Sequence, residues 1–312
     1  MYINRKMICL LLVLSQYAFA WLDEVNLESK NIKLISMHEM RFCFISFVSI
    51  DGKKYIVKQK KPLHKLLGAV RDAITAHMVE SFCKDYQMES IAHRVAIIPA
   101  GIDFPGKWRA DWPATLHTIA PGKMIKEQKS RFDGMNIKQA DIGFRRDMLE
   151  WMAIDPIIII IVALDTFLCN HDRHRKNLFY NPKTDSFCAI DMDSSFKYNL
   201  CDLAVKNFTK MLNDHKLRLS VREINILKKY KEHLQFLIDH YHPEDTVKMY
   251  NLFVEKAGFV PGSSFHSPNF AAEIDRNKAT IFQSYQDAKR VVKVVGQLIE
   301  KARKNYPLRH GV

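Results

Sequence analysis

Glycine is scarce, at 11 residues in 312, and none of it forms a G-x-G-x-x-G run that would cradle phosphate. No two cysteines stand in a C-x-x-C arrangement, which removes the usual spacing of a zinc site or a dithiol centre. Of the 6 cysteines, Cys9 lies in the N-terminal apolar run. Cys43, Cys83, Cys169, Cys188 and Cys201 remain, an odd number that cannot all pair within the chain. Cys43, Cys169 and Cys188 sit in apolar stretches, where a free thiol behaves as a small hydrophobe. One disulfide after export stays open, with no partners specified by the sequence. Long apolar runs are also missing: residues 157–168 are apolar but brief and contain Asp165, too short to span a bilayer. There is no internal repeat or low-complexity segment. The apolar fraction of 47% is ample for a core, in one large domain or two lobes, and argues against disorder as the dominant state.

The first twenty residues carry Arg5 and Lys6, the apolar run 7–14, then Ala18-Phe19-Ala20. This is the three-part pattern of a secretory signal peptide, and cleavage would leave Trp21 first. Export is therefore expected, to the periplasm or medium, a secretory lumen or a host cell; a permanent anchor is the weaker reading. The formal charge of +13 would fall only by Arg5 and Lys6. A basic balance suits anionic partners such as nucleotides or an acidic membrane surface, and it is also a common solubility device.

Alternation predicts strands over residues 42–50 and 54–59, joined by the turn Asp51-Gly52. Leu66, Val70, Ile74, Met78 and Phe82 recur every four residues and predict an amphipathic helix after Pro62. A strand is expected near residues 95–99. Pro105-Gly106, Trp112-Pro113 and Pro121-Gly122 punctuate a loop-rich stretch around the apolar segment 114–120, where a hinge between two lobes is placed. Beyond Gly122 the pattern is mainly helical. A buried helix over residues 154–169 opens near Asp155-Pro156; its isoleucine run would suit a strand, but its length and Pro156 favour helix. Ile224, Leu227, Leu234, Leu237 and Tyr241 mark another helix, and residues 281–302 a last one rich in Lys and Arg. The fold class is α+β: a signal peptide at 1–20, a small β-rich N-lobe at 21–120 and a larger, mainly helical C-lobe at 121–312, with a cleft between the lobes.

Two stretches carry chemistry, NHDRHRKNLFY at residues 170–180 and FCAIDMDSSF at residues 187–196. Residues 181–186 read as a turn between two short apolar strands, so Asn177 before it and Asp191 after it can converge. Both supply the hard oxygen ligands that Mg²⁺ prefers. In KKYIVKQKK, strand alternation puts Ile56 and Lys58 on one face and Tyr55 and Val57 on the other. Lys58 can thus point into a cleft, with Lys60 near the strand end. His171 and His174 would make a metal pair, but spacing places no third ligand.

Residues 164–196 resemble the catalytic core of the atypical kinases related to phosphatidylinositol 3- and 4-kinases. The likeness is closest to the phosphatidylinositol 4-kinase type II, HipA-like and Golgi secretory-pathway kinase branches. Their shared pattern is an Asp-containing apolar helix, N-x-D-R-H-x-x-x-N, then an apolar strand ending in I-D. The chain matches at Asp165, Asn170, Asp172, Arg173, His174, Asn177, Ile190 and Asp191. Asp172 and Asn177 also keep the five-residue spacing between a kinase's catalytic Asp and its metal-binding Asn.

The resemblance implies a bilobal, protein-kinase-like fold that uses ATP with Mg²⁺ or Mn²⁺. Asp172 would position or deprotonate the acceptor hydroxyl, while Asn177 and Asp191 would hold the metal, with Asp193 as a further ligand. His174 would stabilise the transferring phosphate, orient Asp172 or pack as a loop histidine. Asp165 and Arg173 would brace the loop. Lys58 would hold the nucleotide phosphates, supported by Asp72 where the family usually has Glu, with Glu80 as the alternative. Residues 114–122, around His117, would face adenine, and residues 35–41 would cover the phosphates. The related atypical kinases often lack the glycine fingerprint, so its absence weighs little.

The acceptor implied is a hydroxyl of a lipid, such as a phosphoinositide, or of a protein, and nucleic acid is not expected as a partner. The sequence specifies no oligomeric state. A pseudokinase that binds nucleotide, lipid or protein is the first alternative: Asp72 and the missing glycine loop favour it, and the complete Asp172, Asn177 and Asp191 set opposes it. IDMDSS also resembles the nucleophile motif of haloacid-dehalogenase-type phosphatases, in which Asp191 would attack phosphate and Asp193 would act as acid and base. That motif normally opens its domain, whereas Asp191 lies in the second half of this chain.

Overall fold

The structure, a computed structural model, describes residues 31–61, 66–88, 91–102, 105, 109, 111–127, 146–174, 176–259 and 268–305. The signal-peptide segment 1–20 and Pro62 lie outside the described residues.

The first half builds an antiparallel sheet from β1 (Ile32–Glu39), β2 (Cys43–Ile50), β3 (Lys53–Lys60), β4 (Val95–Ile98) and β5 (Ala114–Thr118). Its order is β1-β2-β3-β5-β4. Strands β2 and β3 pair from Cys43↔Lys60 to Ile50↔Lys53. Their turn works because Asp51 and Gly52 both take positive φ, 48° and 82°, the twist that a two-residue hairpin requires. Alternation then sorts the sheet into two faces. Val48, Ile50, Tyr55, Val57, Leu116 and their neighbours form a small closed cluster, whereas Ile45, Phe47, Ile56 and Lys58 face the other way, into a cleft.

Helix α1 (Leu67–Asp85) crosses behind that second face. The four-residue repeat predicted from Leu66 to Phe82 is buried throughout. Several residues between are buried too, including Arg71 and Asp72, so this helix is enclosed on more than one side and carries charge inward.

A second, 3-stranded sheet of β6 (Lys123–Met124), β7 (Leu178–Asn181) and β8 (Ser186–Ala189) stands at the junction with the helices. Those are α2 (Arg146–Met152), α3 (Pro156–Phe167), α4 (Leu200–Asn213), α5 (Val221–His240), α6 (Pro243–Lys256) and α7 (Pro268–Asn305). Helix α3 starts where the sequence places it: Asp155 Oδ1 accepts the Ile157 N–H at 2.9 Å and Pro156 fills the first turn. Helix α5 opens on a Ser220–Glu223 capping box. The result is α+β, a small β-rich part followed by a larger helical one, as expected. Among the described residues no helix is long and apolar enough to cross a membrane.

The segment read as a loop-rich hinge is shorter than expected. Ala114–Thr118 is a full strand between β3 and β4, and only residues 119–122 lead across to the second sheet. Gly122 at the end of that crossing has φ +86, and a Cβ there would run into the Tyr180 backbone. Replacing Gly122 with Ala combines a left-handed conformation with that clash, so the expected loss is on the order of 2 kcal/mol or more. Urea unfolding of Gly122→Ala measures it, and an unchanged midpoint would refute the account.

Candidate active site

The turn after α3 is organised by one buried ion pair. Asp165, on the last turn of α3, receives Arg173 Nε at 2.9 Å and Nη2 at 3.0 Å. The remaining nitrogen, Nη1, donates to the backbone oxygens of Asn177 and Ile190, both at 2.8 Å. Arg173 thereby fixes the loop that holds Asp172, the start of β7 and the exit of β8. Asn170 donates to the same Asp165 carboxylate at 3.0 Å, and its own Oδ1 accepts the Asp172 N–H at 3.3 Å. Asp172 is left facing the cleft, about one third exposed at 34% of its side chain.

Asn177 and Asp191 meet as the hairpin geometry requires. The Ile190 N–H donates to Asn177 O at 3.0 Å, closing the ladder between their strands. Asn177 Nδ2 is spent on the Asp172 carbonyl at 3.0 Å, which leaves Oδ1 as the side-chain oxygen that could act as a ligand. Asp191 sits at φ +57, a conformation unusual for a residue other than Gly, which swings its carboxylate towards the sheet.

Across the cleft, Lys58 Nζ is hydrogen-bonded to Asp191 Oδ1, with Asp193 Oδ2 at 3.5 Å and Asp72 Oδ2 at 3.8 Å. Burial alone would lower the Lys58 pKa, but Asp191 and Asp72 outweigh it and raise the value. Conversely, burial would raise Asp191 and Asp72, and the lysines hold both low, Lys58 acting on each and Lys60 adding to Asp191. Glu80, the alternative partner for Lys58, is instead committed to Arg94, 3.1 Å from its Nε.

Lys60 also enters the cleft and pairs with Asp193, although its place in the sequence read as a strand end. Burial, helped by the neighbouring Lys58 charge, pushes Lys60 down to about 8. Two lysines from one strand therefore face Asp72, Asp191 and Asp193. The signal for Lys60 was present: it stands two residues from Lys58, on the same strand face.

The cleft itself encloses about 1140 Å³. Lys58, His117, Asp172, Asn177 and Asp191 all line it; Asp72 and His174 stand behind the wall. Ile45, Phe47 and Ile56 from the sheet, with Met124, Phe179 and Ile190 below, give it two apolar sides. Thr118, Ile119 and Ala120 also line it.

His117 borders this wall without offering it a free nitrogen. Its Nδ1 meets His93 Nε2 at 2.8 Å and its Nε2 meets Thr115 Oγ1 at 2.7 Å. His93 Nδ1 in turn lies 3.1 Å from Ala189 O. With both rings neutral, His93 Nδ1–H donates to Ala189 O and His117 Nδ1–H to His93 Nε2, so His117 Nε2 competes with Lys58 O, 3.2 Å from Thr115 Oγ1, for the one hydroxyl proton of Thr115. Burial depresses both histidines, His117 to about 3. His174 points its Nε2 at Asp172 Oδ1, 3.8 Å away, while its Nδ1 accepts the Lys176 N–H at 3.1 Å. That geometry suits orienting Asp172 better than touching phosphate.

Of residues 35–41, offered as a phosphate cover, most belong to edge strand β1, and the turn at Met40, Arg41 and Phe42 is what reaches the cleft. Among the described residues no group of three or more His, Cys, Asp or Glu is arranged to hold a metal. A nucleotide with its metal fits this donor set in a different way. Asn177 and Asp191 provide two oxygens, which is the usual protein share for an Mg²⁺ completed by phosphate and water. Sequence reasoning missed His93 and Glu273, which arrive from distant elements with no local motif, and Arg71, which stands beside Asp72 on α1 but whose partners lie far along the chain.

No protein-family model matches the chain, and no curated protein matches it. Among solved structures, the chain is similar to that of a Helicobacter pylori proinflammatory kinase, CtkA, with a TM-score of 0.48 and 12% identity. The match covers 86% of this chain and 96% of that one.

Asp165→Asn keeps the side-chain volume but leaves the Arg173 charge buried without its counter-ion. A loss of about 3–5 kcal/mol in urea unfolding is expected, and a loss under 1 would reject the brace. Acid should also weaken the fold. His93 and His117 bind protons near 6.5 when unfolded and lower when folded. Their stabilisation is therefore complete above about pH 6.5 and lost as the pH falls towards 3. In urea titrations across pH 4–7, the double variant His93→Asn, His117→Gln should show a flatter slope than the unaltered chain; equal slopes would contradict it.

Proposed function

We propose that the protein is an ATP-dependent phosphotransferase that moves the γ-phosphoryl group to a hydroxyl of a lipid or protein acceptor. The observation that carries this is the convergence, in one cleft, of a cation held on a β-strand and three oxygen-bearing groups held on a catalytic loop and hairpin. Lys58 faces Asp191 from the sheet, and Asp172 and Asn177 stand beside Asp191 on the opposite wall.

Bound ATP with Mg²⁺ or Mn²⁺ would supply the transferable phosphoryl group and the positive charge that neutralises its oxygens. Asn177 and Asp191 would hold the metal. Lys58, now paired with Asp191, is within reach of phosphate oxygens in the same space, and Asp72 keeps it charged and in place. Asp172 accepts the proton of the acceptor hydroxyl, and His174 orients its carboxylate. The apolar walls around Ile56 and Phe179 would take the base, and residues 118–120, which line the same cleft, would offer it hydrogen-bonding groups. The acceptor stays at the level of a hydroxyl: the basic charge of the chain suits a phosphoinositide at an anionic surface, and the export pattern suits a protein in a secretory compartment.

The pseudokinase reading loses support where Lys58 finds Asp72 at 3.8 Å, because the shorter carboxylate does reach it. The phosphatase reading needs Asp191 as a free nucleophile near the start of its domain, whereas its carboxylate is engaged by Lys58 and it follows the last strand of a 3-stranded antiparallel sheet in the second half of the chain. Labelled-ATP transfer to lipid and protein extracts tests the proposal. Asp172→Ala and Asp191→Ala should each lower transfer by about 10²–10⁴-fold. Equal labelling by all three proteins would reject the mechanism, and phosphate release from a phosphomonoester without ATP would favour the phosphatase.

A further inference from the structure

The long C-terminal helix α7 packs mainly on α4 and α5, yet its first turns enter the cleft, where Glu273, Arg276 and Asn277 form part of the wall. Glu273 is joined there to Arg71 of α1: Arg71 Nη1 donates to Glu273 Oε1 at 2.9 Å. Arg71 is 5% exposed, so it needs a counter-charge, and Glu273 is the carboxylate paired with it. The other end of the guanidinium grips the active-site segment, Nε donating to the Asp193 carbonyl at 2.7 Å.

The neighbouring residue on α1 grips the same segment one position earlier. Asp72 Oδ1 accepts the Met192 N–H at 3.0 Å. Residues 71 and 72 therefore hold the backbone on the C-terminal side of Asp191, whose φ of +57 the chain would not adopt unaided. Asn277, 1% exposed, completes the clamp. With its amide oxygen towards Arg71 it accepts from Nη1 at 3.3 Å and from the Tyr250 hydroxyl at 2.8 Å, and it donates to Phe196 O at 3.3 Å.

We infer that Glu273 is a positioning residue for the metal-binding carboxylate: it holds Arg71, and Arg71 with Asp72 holds residues 191–193 in the conformation that presents Asp191. Helix α7 is by this account a working part of the cleft. Without Glu273 the Arg71 guanidinium is a buried cation that has lost its paired carboxylate while its Nε still holds the Asp193 carbonyl, so removing one carboxylate from α7 loosens the segment that carries Asp191.

The inference rests on the nucleotide-and-metal reading of the cleft. Its test is Mg²⁺-dependent binding of a fluorescent ATP analogue to the full chain, read together with thermal melting, for Glu273→Gln, Glu273→Asp and Lys278→Gln. Glu273→Gln should raise the half-saturating Mg²⁺ concentration about 10-fold, the usual effect of losing a group that orients a metal ligand, with binding at saturating Mg²⁺ retained. Glu273→Asp should recover part of that shift, and Lys278→Gln, on the same helix, should match the unaltered chain. An unchanged Mg²⁺ dependence in Glu273→Gln overturns the inference alone. So does a uniform loss of binding at every Mg²⁺ concentration that tracks a lowered Tm, because that is the mark of a merely structural contact. If the unaltered chain binds no analogue at any Mg²⁺ concentration, the reading of the cleft fails and this inference with it.

Discussion

The Arg173 guanidinium is the constraint on which the candidate site depends. A planar cation with five donors in a fixed fork can satisfy a carboxylate on one edge and carbonyls on the other only if all of them are brought to set positions. Here the carboxylate belongs to Asp165 on α3, and the carbonyls belong to Asn177 and Ile190, the residues that open β7 and follow β8. Asp172, Asn177 and Asp191 are each within one residue of a group that Arg173 or its partner Asp165 holds, or are linked to such a group by Asn170. A buried pair of this kind is weak evidence for extra stability, since two charges had to leave water to make it. What it provides is register between the end of α3 with its following loop and the β7–β8 hairpin, two units that share no regular hydrogen-bond ladder with each other.

Charge complementarity then joins the two halves. Three aspartates around one cleft would repel each other, and burial would favour protonating them. Lys58 and Lys60 on β3 reverse that balance and keep Asp72 and Asp191 ionised. The arrangement is reciprocal, since the same carboxylates keep Lys58 charged in a place where burial alone would neutralise it. A site built this way is close to electrically balanced before any ligand arrives. It can therefore exchange one of its internal ion pairs for phosphate and metal charge, with less penalty than an isolated buried lysine would incur.

How much of this was legible in the sequence follows the range of the interactions. The Asp51-Gly52 turn, the Asp155-Pro156 helix start and the facing of Lys58 depend on neighbours within a few residues, and the chain spells them out. The convergence of Asn177 with Asp191 was legible for the same reason, through a hairpin with thirteen positions between them. The pairing of Lys58 with Asp72 was less so: the spacing suggested it, and side-chain length left it open until the backbone distance was known. His93, which reaches His117 from another strand's approach, and Glu273, two hundred residues from Arg71, left no local trace. Strand β1, too, escaped notice, because its exposed edge position gives no alternating apolar pattern.

The long-range contacts are also the ones that make the cleft particular to this chain. On the proposed reading, the loop around Asp172 and the strand that carries Lys58 suit phosphate chemistry in general, and many folds could hold them. The buried His93–His117 pair occupies the corner where β5 passes towards the second sheet, and it ends on the carbonyl of Ala189, two residues before Asp191. Arg71 reaches the segment just after Asp191 from the opposite side. Asp191 is thus bracketed on both sides, by His93 and Arg173 on the backbone before it and by Asp72 and Arg71 on the backbone after it. Its left-handed backbone follows from that bracketing, because neither side alone fixes both ends of the residue. The strain at Asp191 is in this sense a property of the whole fold, and the residue most exposed to change anywhere in that bracket is the one whose carboxylate faces the cleft.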